Sequence, residues 1–244
     1  MALLEIRGVS KSFRTLKALD GVDIDVEAGR FHGLIGPNGS GKSTLLKAIA
    51  GAHFADAGTI VFNGNDITRA TPYERARAGL SLKFQITAVL PELSVYDNIL
   101  LSTQSGESLP RLLRSSSRRA LGEEVSGLLE RFRLVDRADD LAGELSHGEQ
   151  QWLEIAMALA LKPKLLLLDE PTGGMSPEER QVTGKLLEPL RAHCALVIVE
   201  HDLHFIRDIC DYLTVLDQGK VLDQGDVETI QRSPKVQQVF TTRV

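Results

Sequence analysis

The sequence predicts an α/β fold, a parallel sheet with flanking helices, and two stretches of the chain lead to this prediction. The compact apolar strand Phe31–Ile35 runs into a glycine-rich turn, and a helix with leucines at helical spacing follows. Further on, the apolar run Leu165–Leu168, a helix over Pro177–His193 and a strand over Ala195–Val199 come in that order. Strand, helix and strand in this order imply parallel pairing through right-handed crossovers.

The remaining segments divide around this core. Alternating apolar residues near the N-terminus predict short strands, which we expect to form an antiparallel β-subdomain. From residue 86 to residue 161 amphipathic helices replace strands, for example over Ser94–Leu101 and Ala120–Phe132, which indicates an inserted helical subdomain. We therefore expect a single domain of residues 1–244, with its core in residues 1–85 and 162–230 and a polar tail in residues 231–244.

Composition argues against several classes of protein. The 244 residues include 28 Lys and Arg against 33 Asp and Glu, which gives a formal net charge of −5. An acidic chain does not favour binding through phosphate neutralisation, so no nucleic-acid partner is expected. The two cysteines, Cys194 and Cys210, fit neither a metal-ligand spacing nor a disulfide framework. We find no signal peptide and no apolar run long enough to span a bilayer, and a cytoplasmic location follows as an expectation.

The glycine-rich turn carries the pattern G-x-x-x-x-G-K-[ST] of a phosphate-binding P-loop, and a strand precedes it and a helix follows it, as the pattern requires. Its backbone N–H groups and the positive end of the helix can surround phosphate oxygens. Lys42 would reach the β- and γ-phosphates, Ser43 would bind Mg²⁺, and Thr44 would add a phosphate contact. The residues predicted here to bind ATP are Gly36, Asn38, Gly39, Ser40, Gly41, Lys42, Ser43 and Thr44.

Two carboxylates, Asp169 and Glu170, directly follow the apolar strand Leu165–Leu168. The carboxyl end of a buried parallel strand lies at the ligand edge of the sheet, beside the P-loop. Asp169 would hold Mg²⁺, the expected cofactor, and Glu170 would polarise the water that attacks the γ-phosphate. Ordinary turn chemistry would also explain such a pair, but its combination with a P-loop favours ATP hydrolysis.

The residues before this pair resemble a family signature. Leu145–Gln150 reads Leu-Ser-His-Gly-Glu-Gln and is similar to the LSGGQ motif of ABC (ATP-binding cassette) ATPases, with His147 in place of the first glycine and Glu149 in place of the glutamine. Ser146 and Gly148 stand at the start of a predicted helix and form a second anion site there. A plain helix N-cap is the alternative interpretation. The order P-loop, signature, acidic pair favours the ABC family and its P-loop NTPase core.

The resemblance assigns roles to further residues. Gln85 occupies the position of the glutamine that contacts Mg²⁺ or the attacking water, and His201 that of the switch histidine at the γ-phosphate. Phe13 stands where the family places an aromatic that stacks on adenine, although a core phenylalanine is the alternative. Ser176 departs from the family, which usually has an aspartate before Pro177 in the D-loop, here residues 171–176. The catalytic residues implied in this way are Glu170, His201 and Gln85.

The family pattern also implies partners. ATP bound to the P-loop of one subunit would be covered by the signature residues of a second ATPase subunit, the same or a homologous chain; these residues are Ser146, His147, Gly148 and Glu149. Membrane-spanning permease subunits would hold the dimer at the inner face of the cell membrane, and a separate solute-binding protein would act indirectly. The signature region and the run Val199-Glu200-His201-Asp202 look most like the importers of branched-chain amino acids and urea.

Other members of the family stay open as alternatives. A soluble ABC ATPase of the iron–sulfur assembly type would have no membrane partner, and ATPases of lipopolysaccharide export share the Glu-His-Asp run. The presence of Lys42, Asp169, Glu170 and His201 argues against a binding module that has lost catalysis. The sequence leaves open the solute, the direction of transport and the choice between homodimer and heterodimer.

Overall fold

The computed structural model describes residues 2–83, 89–105 and 115–242. The strands in these ranges are β1 (Ala2–Phe13), β2 (Leu16–Glu27), β3 (Phe31–Ile35), β4 (Ala57–Phe62), β5 (Asn65–Asp66), β6 (Leu80–Lys83), β7 (Leu165–Asp169), β8 (Ala195–Val199), β9 (Tyr212–Asp217) and β10 (Lys220–Asp226). The α-helices are α1 (Lys42–Ala50), α2 (Pro72–Ala78), α3 (Val95–Ser105), α4 (Ser115–Arg131), α5 (His147–Leu159), α6 (Pro177–Leu187), α7 (Leu203–Ile209), α8 (Val227–Arg232) and α9 (Pro234–Thr242).

These strands form two sheets in the described part of the chain. The larger has the order β10-β9-β3-β8-β7-β6, and all its neighbouring strands are parallel except the edge pair β9 and β10. The smaller has the order β2-β1-β4-β5 and is antiparallel throughout. The predicted α/β fold with an antiparallel N-terminal β-subdomain is therefore confirmed.

The central strands are apolar because both of their faces are covered. Every residue of β3, β7 and β8 is buried. Along β7 the side chains alternate between two core clusters: Leu166 and Leu168 join one, and Leu165 and Leu167 join the other. This is the arrangement expected of a parallel sheet buried between two layers.

The register of the sheet brings three chain segments to one edge. Leu34 of β3 and Asp169 of β7 both pair with Val199 of β8. The turn after β3, the acidic end of β7 and the residues that follow β8 therefore leave the sheet side by side. This is the edge at which α/β folds of this kind bind their ligands.

One predicted helix boundary was wrong, and helices α2, α8 and α9 were not predicted. The helix predicted over Pro177–His193 ends as α6 at Leu187, and a 3₁₀-helix, Glu188–Ala192, takes over where Pro189 has no N–H to donate. The segment 231–244, predicted as a polar tail, contains the last two residues of α8 and the whole of α9, and Val236 of α9 is buried in the core. Helix α2 was missed, although Thr71 and Glu74 form a capping box at its start.

Some predictions fall outside what the structure describes. Gln85 lies outside the described residues. The division into a core of residues 1–85 and 162–230 and a helical subdomain of residues 86–161 stays a prediction, although α3, α4 and α5 are helical as expected. Within the described ranges, no helix combines the length and the apolar composition that a membrane span requires.

Candidate nucleotide-binding and catalytic site

The turn between β3 and α1 requires glycine at two positions because other backbone segments press against it. Gly36 has φ 147°, and a Cβ atom there would lie 2.1 Å from the carbonyl oxygen of Leu216. Gly41 has φ 107°, and its Cβ would lie 2.6 Å from the carbonyl oxygen of Ala18. The turn is thus packed between the end of β9 and the start of β2, which fixes where its N–H groups point.

Lys42 is folded into this turn. Its Nζ donates to the carbonyl oxygens of Gly36, at 2.8 Å, and Pro37, at 2.9 Å. Burial lowers the pKa of the Lys42 ammonium, and the carboxylates of Glu170 and Asp169 oppose this shift. The ammonium is held at the anion site by weak acceptors, and phosphate oxygens would be stronger ones.

The acidic end of β7 meets the start of α1. The Ser43 hydroxyl donates to Asp169 Oδ1 at 3.3 Å. Burial raises the pKa of Asp169, and the hydrogen bond from Ser43 acts in the opposite direction. One carboxylate and one hydroxyl side by side fit Mg²⁺, which takes few protein oxygens and keeps water and phosphate oxygens as its other ligands. Among the described residues no cluster of three or more His, Cys, Asp or Glu side chains offers a rival metal site.

Glu170 has an unusual backbone. Its φ is 49°, in the left-handed region that residues other than glycine rarely adopt. Its N–H donates to the carbonyl oxygen of Val199 at 2.9 Å, which anchors this conformation to β8. Five other described residues that are not glycine share a positive φ, so the conformation alone does not mark a functional site. At Glu170 the anchored backbone fixes the direction in which the side chain leaves the strand end.

These elements enclose one cavity of about 550 Å³. Its size is within the range of small-molecule sites. The cavity brings together most of the predicted ATP ligands and Glu170, whereas the predicted Gly36 and Ser40 do not line it. The lining residues are Phe13, Leu16, Lys17, Ala18, Asn38, Gly39, Gly41, Lys42, Ser43, Thr44, Glu170 and Gln218.

Four lining residues were missed from the sequence: Leu16, Lys17, Ala18 and Gln218. Leu16, Lys17 and Ala18 begin β2, and Gln218 lies in the turn between β9 and β10. The N–H of Gly219 donates to the carbonyl oxygen of Ser40 at 3.0 Å, which docks the turn between β9 and β10 onto the P-loop. The dipeptide Gln218-Gly219 is a turn signal, but no local pattern indicates what a turn packs against.

Phe13 lies at the end of β1, on the rim of the same cavity. Its side chain is 40% exposed, and its ring contacts His53 edge-on with 5.2 Å between centroids. A core phenylalanine would be buried. The exposure therefore favours the predicted stacking on adenine, which stays a prediction.

His201 does not line the cavity. Its side chain is 68% exposed, and Nδ1 lies 3.7 Å from Glu200 Oε2. Glu200, which sequence reasoning did not select, is buried and accepts hydrogen bonds from the N–H and the hydroxyl of Thr172, at 2.9 and 2.6 Å. Glu200 thus ties the loop before His201 to the loop after Glu170. The predicted contact of His201 with the γ-phosphate remains a prediction.

The signature begins α5 as a capped helix. Ser146 Oγ accepts from the N–H of Glu149 at 3.3 Å, and Glu149 Oε2 accepts from the N–H of Ser146 at 2.8 Å, which is a capping box. This explains why a glutamate can replace the family's glutamine. The N-cap interpretation is correct, yet it does not exclude phosphate binding, since the Ser146 hydroxyl proton can still be donated. None of the four signature residues lines the cavity.

Comparison with known proteins decides the family. A family profile described as "ABC transporter" matches residues 19–173. The chain belongs to the ABC transporter family. Within it, the chain is 36% identical to the probable branched-chain amino acid transport ATP-binding protein LivG of Archaeoglobus fulgidus, over 98% of this chain and 95% of that protein. It is therefore an ATPase subunit of an ABC transporter, and it is similar to an ATPase of branched-chain amino acid transport.

Solved structures agree with this assignment. A nucleotide-free ATP-binding cassette from an ABC transporter superposes with a TM-score of 0.87 and 32% sequence identity, over 98% of this chain and 99% of the other. The ADP conformation of an ATP-binding cassette superposes with a TM-score of 0.86 and 33% identity, over 99% of each chain. The described strands and helices are thus those of an ABC cassette.

Two local features of this cassette complete the site's surroundings. Ser176, where the family usually has aspartate, caps α6 in a capping box with Glu179. Lys83, at the end of β6, forms an ion pair with Glu154 of α5 at 3.2 Å, and both side chains are almost fully buried. The strand before residues 84–88 is thereby joined to the signature helix, a link that the sequence did not predict.

Proposed function

We propose that this ABC cassette hydrolyses ATP with Mg²⁺ at the cavity beside the P-loop, in a head-to-tail dimer. We propose further that hydrolysis drives uptake of branched-chain amino acids, or of urea and related amides, through membrane-spanning permease subunits. One observation carries the first part: Lys42, Ser43 and Glu170 line one cavity, and Asp169, which does not line it, accepts a hydrogen bond from Ser43. The signature residues do not line this cavity.

Different residues of the chain have different roles in phosphoryl transfer. Lys42 and the N–H groups of the turn bind and orient the phosphates. Ser43 and Asp169 would hold Mg²⁺, which neutralises charge on the β- and γ-phosphates when bound. Glu170, fixed by its anchored left-handed backbone, would accept the proton of the attacking water.

The dimer is proposed because one chain supplies only part of a site. ATP at the cavity would contact the P-loop of its own subunit and, by the family pattern, Ser146 and Gly148 of a second one, the same or a homologous chain. Those two residues open a capped helix whose N–H groups and dipole attract anions. Bound ATP then adds affinity for the closed pair, and hydrolysis releases it.

The transport role is supported by the similarity to the LivG protein over 98% of this chain. We place the permease contact at the helical subdomain, with Gln85 and residues 86–161, and the cassette at the inner face of the membrane. A solute-binding protein would select the solute outside. A soluble ATPase of the iron–sulfur assembly type and a lipopolysaccharide-export ATPase are the alternatives.

The catalytic part is tested with Glu170→Gln, with Glu178→Gln as the matched control because Glu178 is an exposed glutamate of α6. Loss of a general base lowers the hydrolysis rate about 10²- to 10⁴-fold while ATP binding persists. We expect an ATP-dependent dimer of Glu170→Gln in light scattering, and wild-type behaviour of the control. Hydrolysis by Glu170→Gln at the wild-type rate would remove Glu170 from the mechanism.

The transport part is tested by purification of tagged Glu170→Gln chain from detergent-solubilised membranes of its host. We expect multispanning proteins to co-purify. Vesicles that contain these proteins with the wild-type chain are expected to accumulate radiolabelled leucine or urea when ATP is supplied on the side of the cassette, whereas vesicles with Glu170→Gln are not. Recovery of soluble proteins alone would support the alternative without a membrane partner. Accumulation of neither solute would reject the proposed solute class.

A further inference from the structure

His147 makes a contact that neither a helix cap nor a phosphate site requires. Its Nε2 lies 2.8 Å from the carbonyl oxygen of Gly173. A carbonyl oxygen only accepts, so Nε2 carries the proton and donates. At the next residue, Gly174 with φ 74°, an added Cβ would lie 3.0 Å from Nε2, so a side chain there would crowd the ring. The imidazole of the signature thus rests on the two glycines of the D-loop.

The rest of the D-loop is fastened from other elements. Thr172 is held by Glu200, the residue before His201. The Met175 sulfur lies 3.3 Å from the hydroxyl of Thr183 on α6. That hydroxyl donates to the carbonyl oxygen of Glu179 at 2.8 Å and accepts from Trp152 Nε1 of α5 at 2.9 Å. His147 therefore supplies the contact between the first residue of the signature helix and the middle of the loop.

The loop matters because Glu170 directly precedes it. Glu170 holds its left-handed backbone only if its neighbours keep it there. The carbonyl oxygen of Glu170 accepts from the N–H of Gly173 at 3.2 Å, so the residue that His147 contacts closes the turn that begins at Glu170. A shift of the signature helix would therefore move this turn through the hydrogen bond between His147 and Gly173.

We propose that His147 is a positioning residue that holds Glu170 in its working direction from the signature of the same subunit. This rests on the proposed function, in which the signature contacts the ATP of the other subunit and Glu170 acts on its own ATP. The contact then makes hydrolysis at one site depend on phosphate engagement at the other. The histidine in the signature and the two glycines in the loop together build this link.

The test compares His147→Ala with His147→Gln, whose amide reaches about as far as Nε2 and can donate to Gly173. His204→Ala, an exposed histidine of α7, is the control. Loss of one hydrogen bond that acts on the catalytic geometry lowers kcat about 3- to 10-fold. We expect His147→Ala to lower kcat by this factor and to reduce the Hill coefficient for ATP, with KM and Tm unchanged, and His147→Gln to restore both.

Amide hydrogen exchange tests the same link without hydrolysis. The N–H groups of Gly173 and Met175 donate within the loop, so His147→Ala is expected to speed their exchange at least 3-fold, and His147→Gln to return it to the wild-type rate. A wild type that fails to hydrolyse ATP refutes the proposed function, whereas equal exchange in wild type and His147→Ala refutes the positioning role. Faster exchange over the whole chain, with a lower Tm, would also refute it, because His147 would then be only structural.

Discussion

The buried histidine of β3 makes the stability of the cassette depend on pH. His32 is 3% exposed, its Nε2 lies 2.8 Å from Thr214 Oγ1, and its ring contacts Tyr212 with 5.3 Å between centroids. Burial lowers the pKa of His32 from 6.5 to about 4, against the opposing field of the Asp25 carboxylate. The neutral imidazole is therefore the form that the folded chain prefers.

The folded chain becomes less stable as the pH falls, because the unfolded chain then binds a proton that the folded chain does not. Between pH 6.5 and pH 4 the unfolded chain holds a proton on His32 that the folded chain does not, so unfolding takes up a proton. The contribution of neutral His32 to stability is complete above the unfolded pKa of 6.5 and is lost as the pH falls towards the folded pKa of about 4. At 1.36 kcal/mol per pKa unit, the full loss is about 3 kcal/mol, and at pH 5 it is about 2 kcal/mol.

Urea unfolding at two pH values measures this contribution. The wild-type chain and His32→Gln, which keeps a group able to bond Thr214, are unfolded at about pH 7.5 and about pH 5. We expect the drop in unfolding free energy between the two pH values to be about 2 kcal/mol smaller in His32→Gln than in wild type. The exposed His193, changed to Gln, should leave the drop unaltered. Equal drops in wild type and His32→Gln would show that His32 is not held neutral.

Three further substitutions test how the site is supported. Arg75→Met removes hydrogen bonds to four carbonyl oxygens, those of Ala48, Ile49, Ala70 and Thr68. It should lower the free energy of unfolding, measured in urea, by about 3 kcal/mol or more. Arg77→Met, at an exposed position, should change it little. Lys83→Met leaves the Glu154 carboxylate unpaired in the core and should lower the free energy of unfolding by about 3–5 kcal/mol. The double variant Lys83→Met/Glu154→Leu should regain most of this loss. A double variant no more stable than Lys83→Met would contradict the pairing. Gly148→Ala brings a Cβ to 2.5 Å from Glu179 Oε1 and should lower stability by about 1 kcal/mol through the cap of α6, but not in a Glu179→Ala background.

The parts of the fold that could be predicted are those with a local pattern. The run Leu165–Leu168 is apolar at every position, which marks a strand buried on both faces. The glycines and Lys42 of the P-loop stand in a fixed order, so their cradle could be predicted without knowledge of the neighbouring strands. The family resemblance, carried by the residues from Leu145 to Gln150, was confirmed by comparison with known proteins.

The parts that escaped prediction depend on tertiary contacts. Gln218 joins the cavity only because Gly219 docks on Ser40, far away in the sequence. Helix α9 carries Val236, Val239 and Phe240 at helical spacing, and Val236 and Phe240 pack on the core cluster. This short pattern stands in an otherwise polar segment, and only the folded chain shows the surface that it covers. The pair Lys83 and Glu154 carries charges that sequence patterns place at the surface, and only the folded chain shows that they neutralise one another inside.

The departures of this cassette from its family pattern lie at two neighbouring helix starts, those of α5 and α6. Glu149 and Ser176 each complete a capping box, so the helices that begin at the signature and after the D-loop both have satisfied N-termini. Glu179, the second partner in the α6 box, packs against Gly148, which brings the two helix starts together. His147 then spans the remaining gap to Gly173. An aspartate at position 176 could cap α6 as well, so its absence removes a charge from the D-loop without loss of the fold, and the signature histidine supplies a contact with that loop instead.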